Sequence, residues 1–442
     1  MGVDLRIGVC VSAPLIAAAM LMGQNGPTFS YVYTQAPLYD SHATLSGAER
    51  FPAGAKLQFV SNGMKRELAP GFAASADASA SFDGRRVLFA GKRKATGPWR
   101  IWEVMLHEGA PRCIGKEDEE EDAIAPFYLP DDRIVYSQRT PAGFQLMRMT
   151  LSGGESLQLT YGHGNHIASD VLMDGRILYE TQHAGGARDL FTVYPDGTGV
   201  ETYRCDHGND RHGARQLTSG DIVFETDGRL ARFTSAAAVQ VEVAQPKGEI
   251  AAPIAEISSG DWLVSIRSAA TKSYGLYRWR RGETELVAAQ ALQPILVRQR
   301  SAPKGFPSAI RERPGANLLC LNVYTSRAAI TAGSVSTVRV WALGEGGLPA
   351  MLGQAPVERD GSFYVQTPGE RPIRFELLDR SGSIVAAEKG WFWARRGEQR
   401  VCVGCHAGPE RAPENAVPEI LLRSIEPAVM RMPLHTAQGD SR

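Results

Sequence analysis

A short apolar strand, preceded by turn residues, returns at near-regular intervals through the first two thirds of the chain. Its copies read RRVLFAGKR (residues 85–93), DRIVYSQR (132–139), GRILYETQ (175–182), DIVFETDG (221–228) and DWLVSIRS (261–268). Val87, Ile134, Ile177, Ile222 and Trp262 occupy equivalent places, at spacings of 47, 43, 45 and 40 residues. Each copy is trailed by a second strand and a turn, as in WRIWEVML, FQLMRMTLSGG and DLFTVYPDGTG. The dipeptides Asp174-Gly175 and Asp196-Gly197 put glycine where a tight turn needs a positive φ. Four strands per period of roughly 40–50 residues are the mark of propeller blades. One such sheet cannot bury both of its faces alone, so copies must pack in a ring. SYVYTQAP (30–37) supplies an earlier, sixth copy, so the expected fold begins with a six-bladed β-propeller. A non-closing β-solenoid or a sandwich is the competing arrangement, but a solenoid rung is shorter than this period.

The repeat stops at RQRSAPKGFPSAIRERPGAN (298–317), where proline, charge and glycine dominate. LLCLNVYTS, STVRVWALG, GSFYVQTPG and PIRFELLDRSG follow without the blade period. Their alternation, with turns at Asp360-Gly361 and Ser381-Gly382, predicts a small antiparallel β-sandwich. The expected fold class is therefore all-β. The expected division is a signal peptide over 1–24, a β-propeller over 25–300, a β-sandwich over 301–395, and a cysteine-bearing segment with a tail over 396–442.

The signal is expected because Arg6 precedes an uncharged run of 16 residues, Ile7 to Met22. Export to the periplasm or outside the cell follows, with membrane attachment only through this segment if it stays uncleaved. A buried helix is the competing reading. Lys+Arg and Asp+Glu are both 48, which argues against a nucleic-acid partner, since such binders carry a basic surplus. Outside Cys10, Cys402 and Cys405, three widely spaced cysteines remain, Cys113, Cys205 and Cys320, so no disulfide scaffold is expected.

Near the carboxyl end stands Cys402-Val-Gly-Cys405-His406. With 6 Cys and 9 His in 442 residues, chance would place such a motif roughly 0.002 times. In haem c, two thiols add to the porphyrin vinyl groups and the adjacent imidazole reaches the iron. Structural zinc needs four ligands, and there is no second Cys-x-x-Cys, so zinc is the less favoured alternative. A redox dithiol usually sits at a helix N-terminus, whereas a Gly/Pro stretch follows here. Pro409, Pro413 and Pro418 prevent a long helix after the motif, and only 36 residues follow His406. One covalent haem c would thus lie against upstream β-structure, with Trp391 and Trp393 as wall residues. Met430, Met432 and His435 are candidate sixth ligands to the iron, against the alternative of a frayed tail.

Two polar features lie in the repeat region. His163, His166, His183, His207 and His212 cluster in the third and fourth copies and could converge on one mouth of the channel, although their spacing matches no zinc pattern. KEDEEEDA (116–123) reads as a solvated loop, since no glycine turn organises its carboxylates for calcium.

The stretch SADASASFDGRRVLFAGKR with WRIWEV resembles the TolB-type, WD40-like repeat. LGQAPVERDGSFYVQTPGERPIRFELLDRSGSIV with GWFWARRGEQRVCVGCHAGPERAPENAVP resembles the middle domain of the hydrazine synthase alpha subunit family. That resemblance implies a β-propeller followed by a domain with one c-type haem. In the family's enzyme the motif histidine turns to zinc, and a tyrosine four residues later holds the iron. Glu410 occupies that place here, so His406 is the expected iron ligand. Hydrazine synthesis needs a multi-haem complex and is not expected from one motif. The expectation is an exported single-haem protein serving electron transfer or haem-dependent oxidoreduction. A redox protein or small molecule would be its partner, and the propeller a docking platform. A propeller-based binding or scaffold protein with an accessory haem or metal site is the alternative.

Overall fold

The computed structural model describes residues 29–432 except 47, 183–185, 205–208, 236, 268–270, 306, 327–328, 345–346, 406–412 and 414. The expected signal segment, His183, His207, His406, Glu410 and His435 lie outside the described residues. Among the described residues no helix is long and apolar enough to cross a membrane.

Residues 30–297 form six four-stranded antiparallel sheets. Five are built from consecutive strands, each starting with one of Ala74–Ala80, Ala123–Tyr128, His166–Val171, His212–Gln216 and Glu249–Ser258. The remaining sheet joins the two ends of the region: Ala291–Val297 pairs with Ser30–Gln35, which pairs with Lys56–Ser61. The sixth copy read from residues 30–37 therefore acquires its inner strand from the far end of the repeat. These six inner strands touch one another in succession, around to Ala291–Val297 against Ala74–Ala80. The architecture is a β-propeller.

Face-to-face stacking explains the composition of the strands. Arg188–Val193 is buried along its whole length, and Ile177–Gln182 is buried at four of six positions. The interface between the sheets that begin at Ala123 and His166 packs Val135, Leu146, Ile177, Tyr179 and Val193 into one cluster. Asp-Gly corners close the hairpins, with Asp196 accepting from the backbone N–H of Thr198 at 3.0 Å.

Residues 315–429 add two more four-stranded sheets. One has the order 349–356, 337–343, 373–378, 384–387; the other 399–402, 315–320, 363–368, 428–429. Thr337–Leu343 and Phe363–Pro368 alternate buried with half-buried positions, the pattern of strands with one face on a shared core. Val338, Val340, Phe363, Val365 and Phe375 meet in that core. The stretch from 396 on is more than an appended segment: Gln399–Cys402 and Ala428–Val429 are parallel edge strands of the second sheet. An open edge of unpaired N–H and C=O groups takes up an extended chain readily, which gives these short pieces their place.

Candidate functional site

The two motif thiols are positioned by strand pairing rather than by a helix. Gln399–Cys402 runs parallel to Gly315–Cys320, in a register that sets Cys402 beside Cys320. The backbone N–H of Leu321 donates to the carbonyl of Cys402 at 2.9 Å. The chain then turns through Val403 and Gly404 to Cys405. A side chain at Gly404 would meet the carbonyl oxygens of Asn322, at 2.7 Å, and of Thr325. Glycine is needed there because the loop backbone lies directly against the motif.

Cys402, Cys405 and Cys320 all open onto one cavity of about 440 Å³. Phe363, Phe375, Trp391 and Phe392 line it from the sandwich, and Phe191, Val200 and Tyr203 from the propeller. Phe375 meets Phe363 and Phe392 edge-on, at centroid distances of 5.5 and 5.3 Å. Arg176, Arg204, Glu201 and Glu388 supply the charged part of the lining. The volume falls in the ~300–1,000 Å³ range of cofactor pockets, as does the mix of aromatic wall and few polar groups.

Burial pushes the Cys405 thiol up to about 12, with Glu388 and Cys402 adding to it. Burial also raises Cys402, although the Arg400 guanidinium beside it pulls the other way. Cys320 is raised as well, by burial and then by Cys405 and Cys402. Three thiols held protonated are poor nucleophiles for disulfide exchange, which favours a dithiol redox role least. Among the described residues no group of His, Cys, Asp and Glu could hold a metal ion. The donor set and aromatic wall fit a porphyrin tethered through two thiols.

Several residues singled out in the sequence go elsewhere. Trp391 lines the cavity, under the Arg374 guanidinium at 5.2 Å. Trp393 does not: it is driven into the propeller, where its Nε1–H donates to the carbonyl of Leu159 at 3.3 Å and its ring meets His166 at 5.4 Å. Met430 is buried in the sandwich core, and Met432 packs against that core. Neither lines the cavity, because the parallel pairing of Ala428–Val429 with Phe363–Pro368 turns this stretch inward.

Among the described residues, the histidines of the cluster do not converge; His183 and His207 lie outside them. His166 is buried with Nδ1 2.6 Å from the Thr181 hydroxyl, while His212 pairs with Glu225 and His163 lies beside Gly347. The acidic run is a solvated loop, with Glu117, Asp118, Glu120 and Glu121 exposed and, among the described residues, only Asp122 and Glu119 paired, with Arg139 and Arg100.

Cys320 is the residue that motif reading missed as a site residue. No spacing rule connects it to the motif, and only the parallel register brings it there. Arg400, next to the motif, donates to the carbonyl of Val200, and Glu398 accepts from the backbone N–H of Gly199 at 3.0 Å. The cysteine-bearing strand is thus locked to the propeller sheet that begins at His166.

Comparison with known proteins adds the relationships. Residues 332–407 match the family described as "Hydrazine synthase alpha subunit middle domain". No curated protein matches the chain. Among solved structures, Kuenenia stuttgartiensis hydrazine synthase superposes with a TM-score of 0.75 at 17% identity, covering 90% of this chain and 72% of that one. TolB from Acinetobacter baumannii gives 0.46 at 12% identity over 61% of this chain and 67% of its own. The β-propeller domain of the Trilobed protease from Pyrococcus furiosus gives 0.36 at 13% identity, over 52% and 73%. At such identities the first superposition speaks for a shared fold, and the other two carry no weight.

Proposed function

We propose that this chain is an exported single-haem c protein, serving electron transfer or haem-dependent oxidoreduction. The observation that carries the reading is the opening of both motif sulfurs into one aromatic-walled cavity. In this reading the six sheets are six propeller blades, residues 25–300 form the propeller, and the units beyond it carry the cofactor. Cys402 and Cys405 would hold the porphyrin by thioether bonds, and His406 would ligate the iron. Trp391, Phe392 and Phe375 would press on the macrocycle and exclude water. Arg176 and Arg204 offer cations for its propionates. When bound, the haem supplies one-electron oxidation and reduction, which protein residues alone cannot. Similarity of residues 332–407 to the hydrazine synthase middle-domain family supports the cofactor, and a single motif in the chain argues against hydrazine synthesis itself.

The test is expression in a host that attaches haem c. Wild type should retain a Soret band through acid-acetone extraction and stain for haem on a denaturing gel. Cys402→Ser and Cys405→Ser should each weaken retention, and the double variant should abolish it. His406→Ala should shift the visible spectrum while the covalent haem remains. A wild-type protein without covalent haem from such a host would end the proposal.

A further inference from the structure

A second cavity, of about 110 Å³, lies on the propeller axis and is independent of the cysteine site. All six inner strands break register at this level. Shifts fall between Ala76 and Ser79, Ile124 and Phe127, Ala168 and Asp170, His212 and Arg215, and Ala251 and Ala255, with the sixth where Ala291–Val297 meets Ser30–Gln35. Asp77, Ala125 and Gln293 take positive φ of 54°, 50° and 54° at these points. A non-glycine residue at such a φ is strained, and bulges re-aim side chains beside binding sites. A ring of them around one void marks a built site.

Most charges on the lining are already matched. Arg50 grips Asp77 through two hydrogen bonds of 2.8 and 2.7 Å. Arg188 does the same to Asp210, and His212 pairs with Glu225. Two groups are left. Arg215 reaches past the neighbouring sheet to lie over the Phe127 ring at 5.1 Å, and its one side-chain hydrogen bond among the described residues goes to the carbonyl of Ala214. A guanidinium has five N–H donors, so most of its capacity points into the void unspent. Burial pushes its pKa below the usual arginine value, although the charges of Asp170, Glu180 and Asp77 pull it the other way. Glu180 accepts from the backbone N–H of Gly213 at 2.5 Å and the Ser169 hydroxyl at 3.5 Å, and forms no ion pair among the described residues.

We propose that this cavity binds a small α-amino acid, with its carboxylate on Arg215 and its ammonium group on Glu180. A cation and an anion that share one void, neither in an ion pair among the described residues, call for a ligand carrying both charges. Size sets the other limit: a void of ~150 Å³ holds the six non-hydrogen atoms of benzene, so one of about 110 Å³ admits about four or five, as in glycine, with the methyl of alanine at the limit.

Calorimetric titration of the full-length protein tests this with glycine, L-alanine, acetate and methylammonium. Glycine or alanine should bind saturably, and acetate and methylammonium at least ~10-fold more weakly. Arg215→Gln should abolish the heat of binding while leaving the melting temperature equal or higher, because it removes a desolvated charge. If that variant fails to fold, Arg215→Lys keeps the cation but loses the fork, and should weaken binding with normal melting. Glu180→Gln retains the acceptor for Gly213 and should bring glycine down to the level of acetate. No heat from any probe up to ~10 mM, binding untouched by these substitutions, or acetate equal to glycine would each overturn the assignment.

Discussion

Trp393→Ala is the perturbation that most directly tests how the cysteine-bearing sheet is held. The indole sits 3% exposed in a cluster drawn from the two propeller sheets that begin at Ala123 and His166. A tryptophan buries roughly 150–250 Å², worth about 4–6 kcal/mol at ~25 cal/mol per Å². Compact unfolded chains reduce that sum, and measured Trp→Ala costs in cores are about 3–5 kcal/mol. The lost hydrogen bond to Leu159 adds about 1 kcal/mol. A loss near 4 kcal/mol is therefore expected, a large part of the roughly 5–15 kcal/mol that holds a domain together. Urea unfolding should be followed by far-ultraviolet circular dichroism and, on haem-loaded protein, by visible absorbance. Both midpoints should fall, and the haem should stay covalently attached while its band shifts as the cavity opens to water. The reasoning fails if the loss is under ~1 kcal/mol and the spectrum is unchanged, because Trp393 would then be a passenger and not the anchor.

Other outcomes follow from the same geometry. Gly404→Ala drives a methyl group into the carbonyls of Asn322 and Thr325, so it should cost about 1–3 kcal/mol and lower haem content per chain, read by melting and pyridine haemochrome assay. Burial alone would raise Asp77, but the Arg50 charge, its paired hydrogen bonds and the Ala125 N–H outweigh that and hold it below the ordinary carboxylate range. Its contribution should therefore be fully present above pH ~4 and be lost as pH falls through the depressed value, an acid arm that Asp77→Asn should flatten in pH-dependent melting. That variant leaves Arg50 buried and unpaired, at a cost of about 3–5 kcal/mol. Cys320→Ala should leave haem stoichiometry unchanged by mass spectrometry and cost about 1 kcal/mol, since the proposed tethers are Cys402 and Cys405.

The propeller was legible because its signals are local and repeated: a period, an apolar strand and an Asp-Gly corner in each copy. What sequence reading missed depends on distant partners. The strand Ala291–Val297 carries no mark telling it to close on Ser30–Gln35. Trp391 and Trp393 would share one wall if this stretch were a regular strand, where i and i+2 lie on one face. Here the chain makes only an isolated bridge, Ile373 with Phe392, and then turns, so the two indoles part: one to the cavity and one to the propeller. Met430 is placed in the same way, since the short parallel pairing just before it sets it into the sandwich core. Bulges at Asp77 and Ala125 leave no sequence pattern at all.

If Cys402 and Cys405 hold a haem as proposed, the placement of Cys402 explains how such a motif can stand on the edge strand of a sheet. Attachment needs two sulfurs at a fixed separation, facing one side, and a backbone stiff enough to keep them there. On the upstream side, pairing with Gly315–Cys320 fixes the backbone up to Cys402. On the downstream side, the carbonyls of Asn322 and Thr325 close over Gly404 and bring Cys405 against the sandwich core. Both restraints come from one continuous stretch, residues 315–325, so the sulfurs move together or not at all. Arg400 and Glu398 extend the same restraint to the propeller, by gripping the backbone at Val200 and Gly199. The cavity wall from Phe191 to Tyr203 is thereby held in register with the sulfurs that open into it. A site divided between two β units can in this way be as stiff as one wrapped by a single small domain, and the long chain ahead of the motif is the other half of its pocket.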